Sequence, residues 1–165
     1  MNKFLLLIKI SRPLGWLWGP AVFSLGLLNS GNLTITPLIA LQIFMLSFPL
    51  CILVYGINDI YDYETDKINP RKKLLEGIKL EPECHSYVKN VSFLVIALLF
   101  LTSFLTLNAS NILGMLLLVF FAYFYSAPRL RFKERPPLDS ISNGMLYFFA
   151  PFLLGFSLGG GSILK

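Results

Sequence analysis

The sequence predicts an all-α fold, a polytopic transmembrane helical bundle of about five spans. Three observations predict it: an apolar composition, long stretches without a charge, and basic residues gathered on one side of the spans. Of 165 residues, 55% are hydrophobic and 15% aromatic, while only 14% are charged. A soluble domain carries roughly 25% charged residues. Mean hydropathy is +0.68. So few charges cannot cover a soluble globule, and so much apolar character excludes a disordered chain. The length predicts a single domain, residues 1–165. The net charge of +5 does not predict nucleic-acid binding, because the basic residues lie between apolar runs rather than on a face interleaved with stacking aromatics. Two cysteines, Cys51 and Cys84, make no disulfide framework. Cys84-His85 lacks the second pair a zinc site needs.

No charged residue occurs from Pro13 to Asn58, from Asn90 to Pro128, or from Ser140 to Ser162. A helix needs about 20 mostly apolar residues to cross a bilayer, so the first two stretches each hold two spans and the third holds one. Asn29-Ser30-Gly31-Asn32 with Pro37 divides the first stretch, and Leu107 to Asn111 divides the second. The expected spans are about 13–30, 37–58, 89–107, 111–127 and 142–162, with cytoplasmic loops at 59–88 and 128–141. Pro20, Pro49 and Pro151 fall inside spans and mark candidate kinks. The run Phe4–Ile8 is too short for a signal peptide and is interrupted by Lys9 and Arg12. Residues 1–12 are expected as an interfacial helix whose Lys3, Lys9 and Arg12 face headgroups.

In a five-span chain, 13 of the 14 basic residues fall on one side, and all nine acidic residues join them. Lys165 alone falls on the other. The positive-inside rule makes the crowded side, and with it the N-terminus, cytoplasmic in a cell membrane. Trp16 and Trp18, near the start of span one, suit an interfacial aromatic belt. Gly15-x-x-x-Gly19, Gly26 and Gly155-x-x-x-Gly159 are small-residue positions that permit close helix approach.

Span two runs directly into Asn58-Asp59-Ile60-Tyr61-Asp62-Tyr63-Glu64-Thr65-Asp66. If the helix persists, 100° per residue puts Asp59, Asp62 and Asp66 on an arc of about 60° with Tyr55, bordered by Asn58. Carboxylates that close repel one another unless a cation neutralises them. Oxygen-only donors suit Mg²⁺ or Ca²⁺, and Mg²⁺ commonly shares its shell with substrate phosphates. Asp59, Asp62 and Asp66 are therefore candidate metal ligands, and a diphosphate held through Mg²⁺ is the expected ligand. The plainer reading is a solvated helix end pairing with Lys67 and Arg71–Lys73.

Asn58-Asp59-x-x-Asp62-x-x-x-Asp66, at the cytoplasmic end of the second span, resembles the first aspartate-rich motif of the UbiA superfamily of intramembrane aromatic and lipid prenyltransferases. Tyr125-Ser126-Ala127-Pro128-Arg129 resembles that family's YxxxK segment, with arginine at the lysine position, and Ser11-Arg12-Pro13 is similar to its approach to helix one. Arg131 to Pro136 and Asp139 to Gly144 most resemble the lycopene elongase branch, with the archaeal digeranylgeranylglyceryl-phosphate synthases a near second. The resemblance covers the N-terminal half of a nine-helix fold. The second, DxxxD-like motif expected between helices six and seven is absent from these residues. Activity is therefore expected with a complementary C-terminal half or through self-association, and an inactive remnant is the other outcome.

The resemblance implies a Mg²⁺-dependent prenyltransferase that ionises a prenyl diphosphate and passes the allylic cation to a lipophilic acceptor: a carotenoid, a quinone precursor or a glycerol lipid. It assigns Asp59, Asp62 and Asp66, with Asn58 assisting, to the catalytic metal site. Arg129, Arg131, Lys133, Arg71, Lys72 and Tyr125 are assigned to the diphosphate. Tyr55, Tyr123, Tyr125 and Tyr147 are candidates for cation–π stabilisation. The alternative from another class is a non-catalytic membrane protein binding a divalent cation or anionic lipid at its cytoplasmic face.

Overall fold

The computed structural model describes residues 2–31, 34–68 and 78–161. Arg71 and Lys72 lie outside the described residues. Within them the chain forms α1 (Lys3–Ile10), α2 (Trp18–Asn29), α3 (Pro37–Met45), α4 (Phe48–Tyr61), α5 (Tyr63–Ile68), α6 (Pro82–Phe104), α7 (Ala109–Phe124), α8 (Leu138–Gly144) and α9 (Ala150–Leu158). A π turn, Met145–Phe149, joins α8 to α9, and 3₁₀ turns occupy Pro13–Gly15 and Phe132–Glu134.

Three stretches among the described residues are long and apolar enough to cross a membrane: Pro37–Tyr61, Pro82–Phe104 and Leu138–Leu158. Ala109–Phe124 is apolar but shorter. Relative to expectation, the helix after the first loop begins at Pro82 rather than near 89. The last begins at Leu138 rather than 142. Proline explains the earlier start at Pro82, since it supplies the first helical turn where its missing N–H costs nothing. Where the first span is expected, a 3₁₀ turn at Pro13 precedes the twelve residues of α2, shorter than a helix needs to cross by itself. Span two bends between α3 and α4, where Pro49 has no N–H to continue the ladder.

Helix α4 is the axis of the bundle, with Pro49 to Val54, Gly56, Ile57 and Asp59 all buried. With α3 it packs on α6, whose buried Val88, Ser92, Val95, Leu99 and Thr102 follow a three-and-four spacing that puts one stripe inward. Phe93, Leu94, Leu98, Leu101 and Phe104 point outward on the same helix. Both faces of α6 are apolar, as suits a helix between protein and lipid. Lipid tails are as apolar as leucine, so close packing and buried hydrogen bonds hold such helices together.

Glycine provides that packing where α2 meets α9. A Cβ on Gly26 would strike the Phe152 carbonyl, and one on Gly155 would strike the Phe23 carbonyl. Nearby, Gln42 of α3 donates to Asn111 Oδ1 of α7 at 3.0 Å. Asn111 donates to Ser157 Oγ at 3.1 Å and accepts from Ser103 Oγ at 2.8 Å. All four side chains are buried. This knot ties α3, α6, α7 and α9 at one end of the bundle; the aspartate motif lies at the other. Helix α1 does not simply face headgroups. Its Leu6 and Ile10 are buried with Leu80 and Val88, against α4 and α6.

Candidate functional site

The aspartate motif lies where α4 ends. The helix does not run through it unbroken: Asp62 adopts φ −100°, ψ 4°, and α5 starts at Tyr63. The four-residue hydrogen-bond register nevertheless continues, with the Asp62 N–H on the Asn58 carbonyl at 2.9 Å and that of Asp66 on the Asp62 carbonyl at 2.8 Å. Asp59 is fully buried and Asp66 is buried. Glu64 points away and pairs with Lys67, whose pKa that hydrogen bond raises.

Asp59 and Asp62 draw their charged partners from opposite parts of the chain, Arg12 before span one and the loop at 131–133. Arg12 donates to Asp59 Oδ1 at 3.1 Å, and its guanidinium lies over the Tyr55 ring, 4.3 Å from the centroid. This corrects the expectation that Arg12 faces headgroups. Arg12 precedes Pro13, which disfavours helical geometry at position 12. The residue adopts φ 49° and so turns the chain from α1 toward α2 with its side chain on the motif. Ser11 steadies this elbow: its hydroxyl donates to the Ile8 carbonyl at 2.8 Å and accepts from Trp16 Nε1 at 3.0 Å.

Asp62 takes Arg131 on Oδ1 at 3.2 Å and Lys133 on Oδ2. Asn58 Nδ2 donates to Asp62 Oδ2 at 2.9 Å and to Ser126 Oγ at 3.0 Å. The loop that delivers these groups is anchored by Phe132, which packs between Phe120 and Phe121 at 5.9 and 5.7 Å. The Lys133 N–H closes it on the Tyr125 carbonyl at 3.2 Å. Arg129 and Arg131 both have positive φ, 83° and 42°, which costs a non-glycine residue about 1–2 kcal/mol each. Sparsely populated backbone of this kind gathers at ligand sites.

The structure thus brings Asn58, Asp62, Arg131 and Lys133 together, with Asp59 held separately by Arg12. Arg129 is exposed, and its carbonyl accepts from Arg135 at 3.4 Å. Tyr125 is otherwise engaged, donating to Asp139 Oδ1 at 2.9 Å beside Asn143, which donates to the same oxygen at 3.1 Å. Among the described residues no three His, Cys, Asp or Glu side chains are grouped closely enough to hold a metal ion. Sequence reasoning missed Arg12 and Ser126 as site residues. The signal for Arg12 was an arginine immediately before the first proline of span one.

Beside this site lies an apolar cavity of about 370 Å³, bordered by α2, α4 and the π turn. Tyr55 joins the two: one edge lines the cavity and its ring face carries Arg12. Tyr147 and Cys51 also line it, whereas Tyr123 and Tyr125 do not. Gly15 keeps the wall thin, since a Cβ there would sit 3.3 Å from the Tyr55 hydroxyl.

A helical bundle with stretches long and apolar enough to cross a membrane, and an acidic helix end met by Arg12, Arg131 and Lys133, defines an integral membrane protein. The profile of the UbiA prenyltransferase family matches residues 17–164, and the chain belongs to that family. It is 37% identical to the lycopene elongase/hydratase of Corynebacterium glutamicum across 98% of this chain and 56% of that protein. It is 35% identical to the lycopene elongase/hydratase of Halobacterium salinarum across 86% and 51%. Among solved structures, a UbiA homolog from Archaeoglobus fulgidus bound to DMAPP and Mg²⁺ superposes with a TM-score of 0.77 at 24% identity, covering 95% of this chain and 55% of that one. A digeranylgeranylglyceryl phosphate synthase superposes at 0.76 and 24%, covering 98% and 55%. These two establish the likeness of fold. The chain spans about half the length of the curated relatives it matches.

Proposed function

We propose that this chain forms the diphosphate-ionising half of a Mg²⁺-dependent prenyltransferase, acting on a prenyl diphosphate and a carotenoid-like polyene within the membrane. The observation that carries the reading is the run from Asp59 through Arg12 to Tyr55 and the apolar cavity, starting at a helix end where Asp62 holds Arg131 and Lys133 three residues on. Such a site matches a molecule with a polyanionic head and a hydrocarbon tail. The lycopene elongase relatives support the polyene acceptor.

The donor set fits Mg²⁺. The three aspartates are not gathered into one cluster, but Asp62, whose side chain keeps 16% exposure, offers hard oxygen donors three residues from Asp59. Mg²⁺ typically takes one or two protein carboxylates and fills its other positions with water and phosphate oxygen. Bound there, it would supply charge neutralisation for the departing diphosphate. The chain's own residues do the rest. Arg131 and Lys133 exchange Asp62 for phosphate oxygens, and Arg129, with Arg71 and Lys72, adds positive charge from the loops. Asn58, fixed by Ser126, holds Asp62 in register. As the C1–O bond breaks, these cations stabilise the oxygen that takes the electron pair. The allylic cation left behind faces Tyr147, whose ring attracts it while the apolar wall excludes water; the Tyr55 face is already taken by Arg12. The acceptor double bond then attacks C1 and loses a proton. The second acidic face is supplied by a complementary half or by self-association.

The test is Mg²⁺-dependent release of pyrophosphate from a prenyl diphosphate by membranes holding this chain, alone and co-expressed with a complementary half from a relative. Asp62→Ala is expected to abolish release, a loss of at least about 10³-fold on the scale of a lost charge-stabilising group. No release in either setting, with Mg²⁺ binding retained, would leave a binding protein.

A further inference from the structure

At the motif end of the bundle, α4, α6 and α7 meet in a corner on the far side of α4 from Asp59. Tyr61 is the last residue of α4 and leaves it about 160° around the helix from Asp59. Its hydroxyl shares a hydrogen bond with that of Tyr123, in the last turn of α7. Lys89 of α6 and Arg129, in the loop after α7, both place positive charge near the Tyr123 hydroxyl. Both cations are exposed. Among the described residues neither pairs with a carboxylate, whereas Arg12, Lys67, Arg131 and Lys133 all do. Two phenols beside two such cations form a donor set suited to a phosphate oxygen. Below the corner the surface turns apolar. Phe93, one turn along α6 from Lys89, lies 6.1 Å from the Tyr123 ring, centroid to centroid. Lys89, Phe93, Ile96, Phe100 and Phe104 fall within an arc of about 80° on α6, and Phe100 stacks on Phe104 at 6.1 Å. From Phe93 to Phe104 the stripe runs about 16 Å, close to the ~15 Å of hydrocarbon in one leaflet.

We infer that Tyr61, Tyr123, Lys89 and Arg129 form a binding site for an anionic phospholipid of the leaflet on the motif side. Its phosphate sits on the two cations and the Tyr123 hydroxyl, and one acyl chain follows the stripe from Phe93 to Phe104. The occupant is a lipid rather than a free phosphate because the donors stand at the head of an apolar stripe of leaflet length. It is anionic because a zwitterionic headgroup would bring its own ammonium against Lys89 and Arg129. The site is distinct from the one that holds the diphosphate, to which Arg129 adds only long-range charge. A lipid bound there fastens the end of α4, which carries the aspartate motif, to α6 and α7.

The test is mass spectrometry of the intact chain, released from a neutral detergent after incubation with equimolar phosphatidylglycerol and phosphatidylcholine of the same acyl chains. One phosphatidylglycerol is expected to stay bound, preferred over phosphatidylcholine by at least about tenfold. Lys89→Gln should lower that preference about fivefold. Tyr123→Phe, which leaves the charge unchanged, should lower phosphatidylglycerol retention about threefold. Lys3→Gln is the control. Lys3 lies over the Tyr87 ring, 5.2 Å from its centroid, and Tyr87 is about 160° around α6 from Lys89. The control removes an equal charge and should change nothing. Inorganic phosphate should not displace the lipid. Equal retention of the two lipids would overturn the inference. So would a loss in Lys3→Gln as large as in Lys89→Gln, which would mean attraction to the basic surface at large. Displacement by inorganic phosphate would give the donors to a free anion and overturn the lipid. Retention unchanged in both Lys89→Gln and Tyr123→Phe would put the bound lipid elsewhere and also overturn the inference. Should Tyr123→Phe fail to fold, Lys89→Gln, at an exposed position, decides by the same criteria. No prenyl diphosphate is present, so the result is independent of prenyl transfer.

Discussion

Arg12 shows how much one side chain can do at a membrane edge. Its backbone turns the interfacial helix into span one, its guanidinium neutralises the fully buried Asp59, and the same group covers the face of Tyr55. Breaking a fully buried ion pair costs about 3–5 kcal/mol. Arg12 keeps 23% of its side chain exposed, so solvent screening lowers the expected cost of Arg12→Gln to about 2 kcal/mol. Thermal unfolding in detergent should register that loss, with Arg12→Lys retaining part of the stability. The aspartate motif was legible because its spacing is local and its geometry follows from the helical repeat. Arg12 was not, because it reaches Asp59 across 47 residues of sequence, and no periodic pattern reports that contact. The loop basics Arg131 and Lys133 were legible as charges. That both engage one carboxylate depends on Phe132 anchoring the loop, which the sequence does not advertise.

At the scale of elements, the two ends of the bundle are built on opposite principles. The end away from the motif is tied by backbone contact at glycine and by the Gln42–Asn111–Ser157 knot. Gly155→Ala would push a methyl group into the Phe23 carbonyl. The expected cost is about 1–3 kcal/mol, typical of overpacking; it would appear as a lower melting temperature with a weakened α2–α9 contact. The glycines were readable as small-residue positions, but which of them make contact was not. Gly26 and Gly155 pack against backbone, while Gly15 serves the cavity. The polar knot was invisible in the sequence: Gln42 and Asn111 are single amides in apolar runs, 69 residues apart. Pro151 was readable as a kink, yet the π turn before it required the fold.

For the molecule as a whole, the distribution of basic residues predicts a sidedness that can be measured directly. We propose that the aspartate motif and the start of α6 face the cytoplasm. Cys84, in the first turn of α6 and only partly buried, should react with an impermeant maleimide in inside-out vesicles and not in right-side-out ones; the reverse pattern would invert the topology. The five-span count rests on the charge-free stretches, and three of its helices meet the length needed to cross.

The pairing at the motif also fixes an electrical condition. Arg12, Arg131 and Lys133 carry three positive charges, while Asp59, Asp62, Asp66 and the Glu134 paired with Arg131 carry four negative ones, so the resting pocket has no positive charge to spare. A lone pyrophosphate anion arriving there would leave an excess of negative charge at a low-dielectric boundary, where each unmatched unit is costly. Calorimetry should find inorganic pyrophosphate binding weakly without Mg²⁺ and at least about tenfold more tightly with it, a gap that Asp62→Asn should narrow. A resting pocket without spare positive charge would make the divalent ion an admission requirement for the anion as well as an aid to its departure.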